Sequence, residues 1–432
     1  MAVLGAVVVG ADPAPSGPAL GHPVTLPGSG LARGGGEADA DRARDPAALA
    51  SVWDASALGA APAASPGLDA GVPWPEVTTV ADDEVVLHVP AGPTAPARTV
   101  ALGGLSAGAL VDLEAALGPA GPAVLAHGEP PVREVRTLPR PPGARLATVV
   151  TVNDLHFGET ECGAYDGPTP IRGIRVAPGE APYPETMNRA AVAEIGPLAP
   201  AAVVAKGDLT DAGRPEEVRA FLACWGEAFG ERLHWVGGNH DVTAPGREVV
   251  GPEMAEVQVP GLTLALLDTT IPGRAGGRLS PEQLAWLDEV TGRADRPVLV
   301  LGHHHPWDPG SRTRPEDYFG IRPGDSEALV ALVANRPAVI GYAAGHTHRN
   351  RVRRFAATGD LPWIEVASLK DFPGSWVEYR VFEGGVLQVH RRVSTPPALA
   401  WSERCRAILD GWYPTYAFGS LDDRCFPIWP RG

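Results

Sequence analysis

Five short stretches of the 432-residue sequence carry side chains of the kinds that bind metals. They are Asn153-Asp154-Leu155-His156, Gly207-Asp208-Leu209-Thr210-Asp211, Gly237-Gly238-Asn239-His240-Asp241, Gly302-His303-His304-His305-Pro306 and Gly345-His346-Thr347-His348. Seven of the 12 histidines fall inside them. Several imidazoles, two carboxylates and one amide oxygen form an N/O-rich donor set, which suits Zn, Mn or Fe rather than Ca or Mg alone. There are too many donors for one tetrahedral ion and enough for two ions sharing a carboxylate. Two ions about 3.5–4 Å apart clamp the attacking and leaving oxygens of an in-line displacement at phosphorus, and coordination brings the pKa of bound water toward neutrality. Each fragment taken singly carries little weight: D-x-H recurs by chance, G-N-H-D suits a turn, and a His run suits an exposed loop. All five in one order, each behind an apolar run, define a site jointly.

The apolar runs are the elements that must position these donors. Residues 147–152, 201–205, 233–236, 262–267, 297–301 and 338–343 read as short buried strands. Amphipathic helix candidates lie between them: 215–229, one opening at Ser280 with Pro281 at its first position and Gln283 closing a capping box, and one from Asp325 through Leu329 and Leu332. Such alternation predicts an α/β domain, and open α/β sheets hold ligands beyond the carboxyl ends of their strands.

Around that domain the chain divides into four parts. Residues 1–68 are rich in Ala, Gly and Pro and read as irregular. Residues 69–143 carry short strand-like runs between turns, predicting a small β-sandwich closed by the Pro-rich linker 138–143. The catalytic part spans 144–395, and 396–432 forms an extension with seven aromatic residues, Trp401, Trp412, Tyr413, Tyr416, Phe418, Phe426 and Trp429. Its plainest reading is packing on the domain; a lid, a dimer contact or a membrane-surface patch is the alternative. The 52 Gly and 46 Pro are many, yet 44% hydrophobic residues and 11 Trp supply a sizeable core and exclude a wholly disordered chain. A net charge of −15 argues against binding nucleic acid by bulk electrostatics. No apolar run is long enough to predict a transmembrane helix. The start of the sequence has an apolar run without a basic region, so the cytoplasm is the expected location, with export as the alternative. The four cysteines make no C-x-x-C pair; isolated thiols are expected, with Cys405 and Cys425 as a pair only in an oxidising compartment.

Together D-x-H, G-D-x-x-D, G-N-H-D, a His two before Pro, and G-H-x-H resemble the calcineurin-like metallophosphoesterase superfamily over roughly 144–392. The resemblance implies a four-layer α/β/β/α sandwich, preceded here by the small β-sandwich (fibronectin type III-like). It implies that Asp154, His156 and His348 hold one divalent ion, that Asn239, His304 and His346 hold a second, and that Asp208 bridges them. His304 stands two residues before the proline, as the family ligand does, with His303 and His305 flanking. His240 would stand beside the phosphate, oriented by Asp211 or alternatively Asp241. The cofactor is then two Mn, Fe or Zn ions, and the reaction is attack of a metal-bridged hydroxide on a small phosphoester, with no obligatory nucleic acid and an open oligomeric state.

The order of domains is similar to that of purple acid phosphatases, but those have Tyr where this sequence has Asp211 and lack the His of D-x-H. GDLTDAG (207–213), GNHD, LDTT followed by GGRLSPEQLAWL (267–287) and GHTH are similar to bacterial class III cyclic-nucleotide phosphodiesterases. A phosphodiesterase is therefore the expectation, with a phosphomonoesterase, a DNA-break-repair type of nuclease and a decayed non-catalytic scaffold as rivals. Arg349, Arg351 and Arg353 share one strand face by period 2; they read as a charged sheet edge or as a steering patch for anions. Trp307 reads equally as core or as the wall of a base pocket.

Overall fold

The computed structural model describes residues 6–7, 74–92, 95–118, 121–164, 171–243, 251–315 and 317–431. Apart from Ala6 and Val7, the segment 1–68 lies outside the described residues.

The described residues form eighteen strands, β1 to β18 in chain order. The first six are β1 (Ala6–Val7), β2 (Glu76–Val80), β3 (Glu84–Val89), β4 (Arg98–Gly103), β5 (Leu110–Asp112) and β6 (Glu134–Arg136). Next come β7 (Arg145–Val152), β8 (Ala202–Lys206), β9 (Leu233–Val236), β10 (Met254–Val259), β11 (Leu262–Leu267) and β12 (Val298–Leu301). The last are β13 (Val339–Ala344), β14 (Arg351–Arg353), β15 (Trp363–Glu365), β16 (Ser375–Phe382), β17 (Gly385–Arg392) and β18 (Phe426–Ile428).

Two six-stranded sheets dominate, ordered β18-β17-β16-β7-β8-β9 and β10-β11-β12-β13-β15-β14. The apolar runs read from sequence form their parallel parts: β7, β8 and β9 run parallel, as do β11, β12, β13 and β15. β8, β11, β12 and β13 are buried on both faces, which is why they read as mostly apolar runs. One core lies between the sheets, built from Val149, Val204, Leu264, Leu266, Leu301, Ile340, Val377 and Tyr379. The outer face of the first sheet packs with Met187, Phe221 and Trp401 of helices Tyr183–Ile195, Pro215–Phe221 and Pro396–Cys405. The outer face of the second is covered by helices Pro281–Gly292 and Pro323–Ala334 through Leu287, Leu329 and Val333. This is the expected helix–sheet–sheet–helix order. The Ser280 signal acts as read: its hydroxyl accepts from the Gln283 amide at 3.1 Å, and the Gln283 side chain accepts from the Ser280 amide at 2.8 Å.

The hairpin β16–β17 was not legible as a strand pair because its alternate residues are charged. Glu378, Arg380, Gln388, His390 and Arg392 are nevertheless buried. Arg380, His390 and Arg392 contact the N-terminal β-structure, a four-stranded antiparallel sheet ordered β1-β4-β3-β2 beside the ribbon β5–β6. Arg380 bonds Asp82, Asp83 and Glu84 at 2.6 Å each, Arg392 bonds Glu76 at 3.0 Å, and the Thr79 hydroxyl donates to the His390 carbonyl at 2.7 Å. Removing one member of such a network strands a buried charge, which typically costs 3–5 kcal/mol. The Pro-rich stretch is fastened too: the Leu138 amide donates to the Ala81 carbonyl at 2.9 Å, and Arg140 pairs with Asp82.

The C-terminal extension packs on the domain. Trp401, Tyr413 and Phe418 enter the core outside the first sheet, and β18 joins that sheet antiparallel to β17. All four cysteines are buried and free. Cys405 belongs to that outer core, whereas Cys425 lies in the core of the N-terminal sheet and accepts from the Val80 amide at 3.4 Å. Among the described residues no helix is long and apolar enough to cross a membrane.

Candidate metal centre

All five motifs follow a strand: β7 delivers Asp154 and His156, β8 Asp208, β9 Asn239 and His240, β12 the His run, and β13 His346 and His348. Turning sharply off a strand end requires unusual backbone. Asp154, His156, Asp208, His346 and His348 all have positive φ, between 48° and 69°. Non-glycine residues seldom adopt that region, and clusters of them mark sites where function dictates geometry. Glycine is needed beside them: at Gly238 a Cβ would lie 2.1 Å from the Asp208 amide nitrogen, and at Gly207, with φ +84°, 2.5 Å from His303 Nδ1.

The side chains converge on Asp208. Its Oδ2 lies 3.5 Å from His156 Nε2 and 3.3 Å from His303 Nε2, while its Oδ1 accepts from the His240 amide at 2.9 Å. On one side Asp154, His156 and His348 offer ligand atoms within 4.8 Å of one another, with His348 Nε2 3.5 Å from Asp154 Oδ1. On the other, His303 Nε2 lies 3.2 Å from Asn239 Oδ1, and its ring centroid is 4.9 Å from that of His346. His346 Nε2 meets the Phe319 carbonyl at 2.9 Å, which leaves Nδ1 for a ligand.

The His run departs from the expectation. His304 also has a ring nitrogen within 4.8 Å of His303 and His346. Both of its nitrogens are engaged elsewhere, however: Nδ1 with the Thr269 hydroxyl at 2.7 Å and Nε2 with the Ala275 carbonyl at 3.0 Å. His303 instead binds the Lys206 carbonyl through Nδ1 at 2.8 Å and aims Nε2 at Asp208 and Asn239. Counting back from the proline points to His304, whereas His303 is the ring directed at Asp208 and Asn239. His305 turns away and meets the Tyr318 hydroxyl at 2.9 Å.

The orientation of His240 also differs in detail. Its Nδ1 meets the backbone carbonyl of Asp211 at 2.8 Å; the Asp211 carboxylate lies 3.9 Å from Arg214. Asp241 is spent on the loop, accepting from the Gly238, Leu209 and Thr210 amides and the Thr210 hydroxyl.

Electrostatics favour cations here. Burial alone would raise Asp154, yet His348 and His303 beside it bring it down to about 2. Burial opposes charge on His348 and His303 as well, but Asp154 and Asp371 lift His348 to about 10, and Asp208 lifts His303 to about 9. Two buried carboxylates thus gather positive charge, which divalent ions supply in place of protons. His156 adds a direct test of fit: both ring nitrogens are buried without a hydrogen-bond partner. An orphaned imidazole among carboxylates, in an N/O donor set, fits a transition-metal pair.

Several supporting residues had no local signal. The Asn153 amide donates to Asp154 Oδ2 at 2.5 Å, and its carbonyl accepts from Lys206 Nζ at 2.9 Å. Burial pulls the Lys206 ammonium down to about 7 against the pull of Asp154. Asp371 meets His348 Nδ1 at 3.0 Å. Arg349 and Arg353 are neither a solvated edge nor free to steer anions, since both pair with buried Glu365, at 3.0 and 3.2 Å; Arg351 is exposed. Trp307 is core, 5% exposed, with its indole donating to the Thr313 carbonyl.

Residues 147–350 match the family model of the calcineurin-like phosphoesterases, and this part of the chain is a calcineurin-like metallophosphoesterase domain. Among curated proteins, a cAMP/cGMP dual specificity phosphodiesterase of Mycobacterium tuberculosis is 34% identical over 119 residues, 25% of this chain and 37% of that protein. The 3',5'-cyclic adenosine monophosphate phosphodiesterase CpdA of Pseudomonas aeruginosa is 32% identical over 151 residues, 34% of this chain and 54% of that one. The glycerophosphodiester phosphodiesterase GpdQ of Enterobacter lignolyticus is 29% identical over 177 residues, covering 38% and 62%. The chain spans less than two thirds of the length of each of these three.

Proposed function

We propose that the protein is a dinuclear metal-dependent phosphoric ester hydrolase that acts on small phosphodiesters, cyclic nucleotides among them. The observation that carries this reading is the ring of donors around Asp208, in which His156 is buried with neither ring nitrogen hydrogen-bonded. Asp154, His156 and His348 would hold one ion and Asn239, His303 and His346 the other, with Asp208 shared. His303 takes the place that spacing assigns to His304. Two divalent ions supply Lewis acidity and a water acidic enough to attack near neutral pH.

The chain's own groups do the rest. Asp208 fixes the distance between the two half-sites and, through the His240 amide, the loop that carries His240. With its Nδ1–H donating to the Asp211 carbonyl, His240 in its imidazolium form would present an Nε2–H to the substrate. From there it holds a phosphoryl oxygen or delivers a proton to the departing alkoxide, a role worth about 10²–10⁴ in rate. Preference for diesters is supported by the activities named for all three relatives.

The deciding experiment combines metal analysis with a substrate panel: an aryl phosphodiester, the matching monoester, cyclic AMP, glycerophosphodiesters and single-stranded DNA. About two Mn, Fe or Zn ions per chain and turnover favouring a diester are expected. Absence of metal with no rescue by added Mn would overturn the metal centre, and strong preference for the monoester would overturn the diesterase reading.

A further inference from the structure

The C-terminal extension lies beyond the matched stretch 147–350, yet it grips the metal centre from behind. The Tyr416 hydroxyl donates to the carbonyl of Thr347, between the two histidines of G-H-T-H, at 2.7 Å. The Asn350 amide, just after that motif, donates to the Ala417 carbonyl at 3.0 Å. The indole of Trp401 donates to the Lys370 carbonyl at 2.8 Å and so fastens the loop bearing Asp371. In the middle is a chain of side chains. The Tyr413 hydroxyl donates to Asp371 Oδ1 at 3.0 Å, Asp371 Oδ2 meets His348 Nδ1 at 3.0 Å, and His348 Nε2 lies 3.5 Å from Asp154 Oδ1. Tyr413 and Asp371 are each 2% exposed, so water does not replace either bond at low cost.

A carboxylate bonded to one nitrogen of a histidine keeps the proton there and leaves the other nitrogen's lone pair facing the metal. Asp371 is placed to do this for His348, and a carboxylate free to rotate would do it poorly. We propose that Tyr413 is a positioning residue for the metal centre, acting through Asp371 to hold His348 with its Nε2 presented to the ion. The inference rests on the reading of His348 as a metal ligand.

The test is a calorimetric titration of the metal-stripped full-length chain with Mn(II). It compares wild type, Asp371→Asn, Tyr413→Phe, the double variant and Tyr379→Phe. The last is a control that removes another buried hydroxyl, one bonded to Gln388 at 3.1 Å on β16. Asp371→Asn should weaken one of the two sites about 10–100-fold, the usual effect of losing a partner behind a ligand. Tyr413→Phe should weaken the same site by a smaller factor, about 3–10-fold, and Tyr379→Phe neither. The double variant should bind no more weakly than Asp371→Asn alone, because both changes act on one chain of contacts. Wild-type affinity in Tyr413→Phe, equal weakening in Tyr379→Phe, or additive losses in the double variant would each overturn the role of Tyr413. Failure of the wild type to bind Mn would overturn the underlying ligand assignment instead.

Discussion

Substituting His303 and His304 separately by alanine sets the geometry of the site against the spacing of its motif. His303 Nε2 stands 3.2 Å from Asn239 and 3.3 Å from Asp208, where the proposed function puts a ligand of the second ion. A four-ligand transition-metal site binds with about 10–16 kcal/mol, so one ligand carries about 3 kcal/mol, roughly a 100-fold change in affinity. His303→Ala should therefore retain about one ion per chain after desalting, where the wild type retains about two. His304→Ala should keep both ions. It removes contacts to Thr269 and Ala275, two hydrogen bonds of about 1 kcal/mol each, and leaves a hole in a buried layer. Its expected cost is about 2–4 kcal/mol of folding stability, read as a lower urea midpoint with metal content intact. The assays are metal content by emission spectroscopy and calorimetric Mn titration, run beside urea unfolding. Loss of the ion in His304→Ala with retention in His303→Ala would refute the geometric reasoning.

Other consequences can be measured directly. His240→Ala should keep its metals and lose about 10²–10⁴ in kcat, whereas Asp211→Ala should lose less than tenfold, because the backbone carbonyl and not the carboxylate holds the ring; equal losses would exclude the carbonyl's role. Acid should weaken the fold through two buried neutral histidines. Burial pulls His390 down to about 3 and His88, beside Arg392, down to about 4. Below about pH 6.5 the unfolded chain takes up these protons and the folded one does not, so stability is fully present above that pH and falls as pH drops toward 4. The loss should reach about 2 kcal/mol per histidine at pH 5, seen by urea unfolding of metal-stripped protein at pH 6.5 and 5. Equal stabilities at the two pH values would contradict it.

What the sequence disclosed and what it hid divide along a physical line. Parallel strands buried on both faces advertise themselves, and so 147–152 and 262–267 were legible along with the donors at strand ends. Ser280, Pro281 and Gln283 announced a helix start because capping is local chemistry. The strands of β16 and β17 hid because Arg380 and Arg392 look solvent-facing until the carboxylates of another part of the chain are set against them. The direction of the His304 ring was not legible because it depends on Thr269 and Ala275, more than 25 residues away. Asp371 and Tyr413 carry no motif at all; only folding brings them to His348.

The place of β18 has a consequence for how the molecule is made. It pairs with β17 in the same sheet that presents Asp154 and Asp208, yet every proposed metal ligand precedes it in the chain. During synthesis the ligand loops emerge while β17 still has an open edge, and the tyrosines that brace His348 are still to come. Contacts this distant in sequence form slowly. Full metal affinity should therefore arise only after residues 396–428 have docked, which links loading of the centre to the docking of that segment.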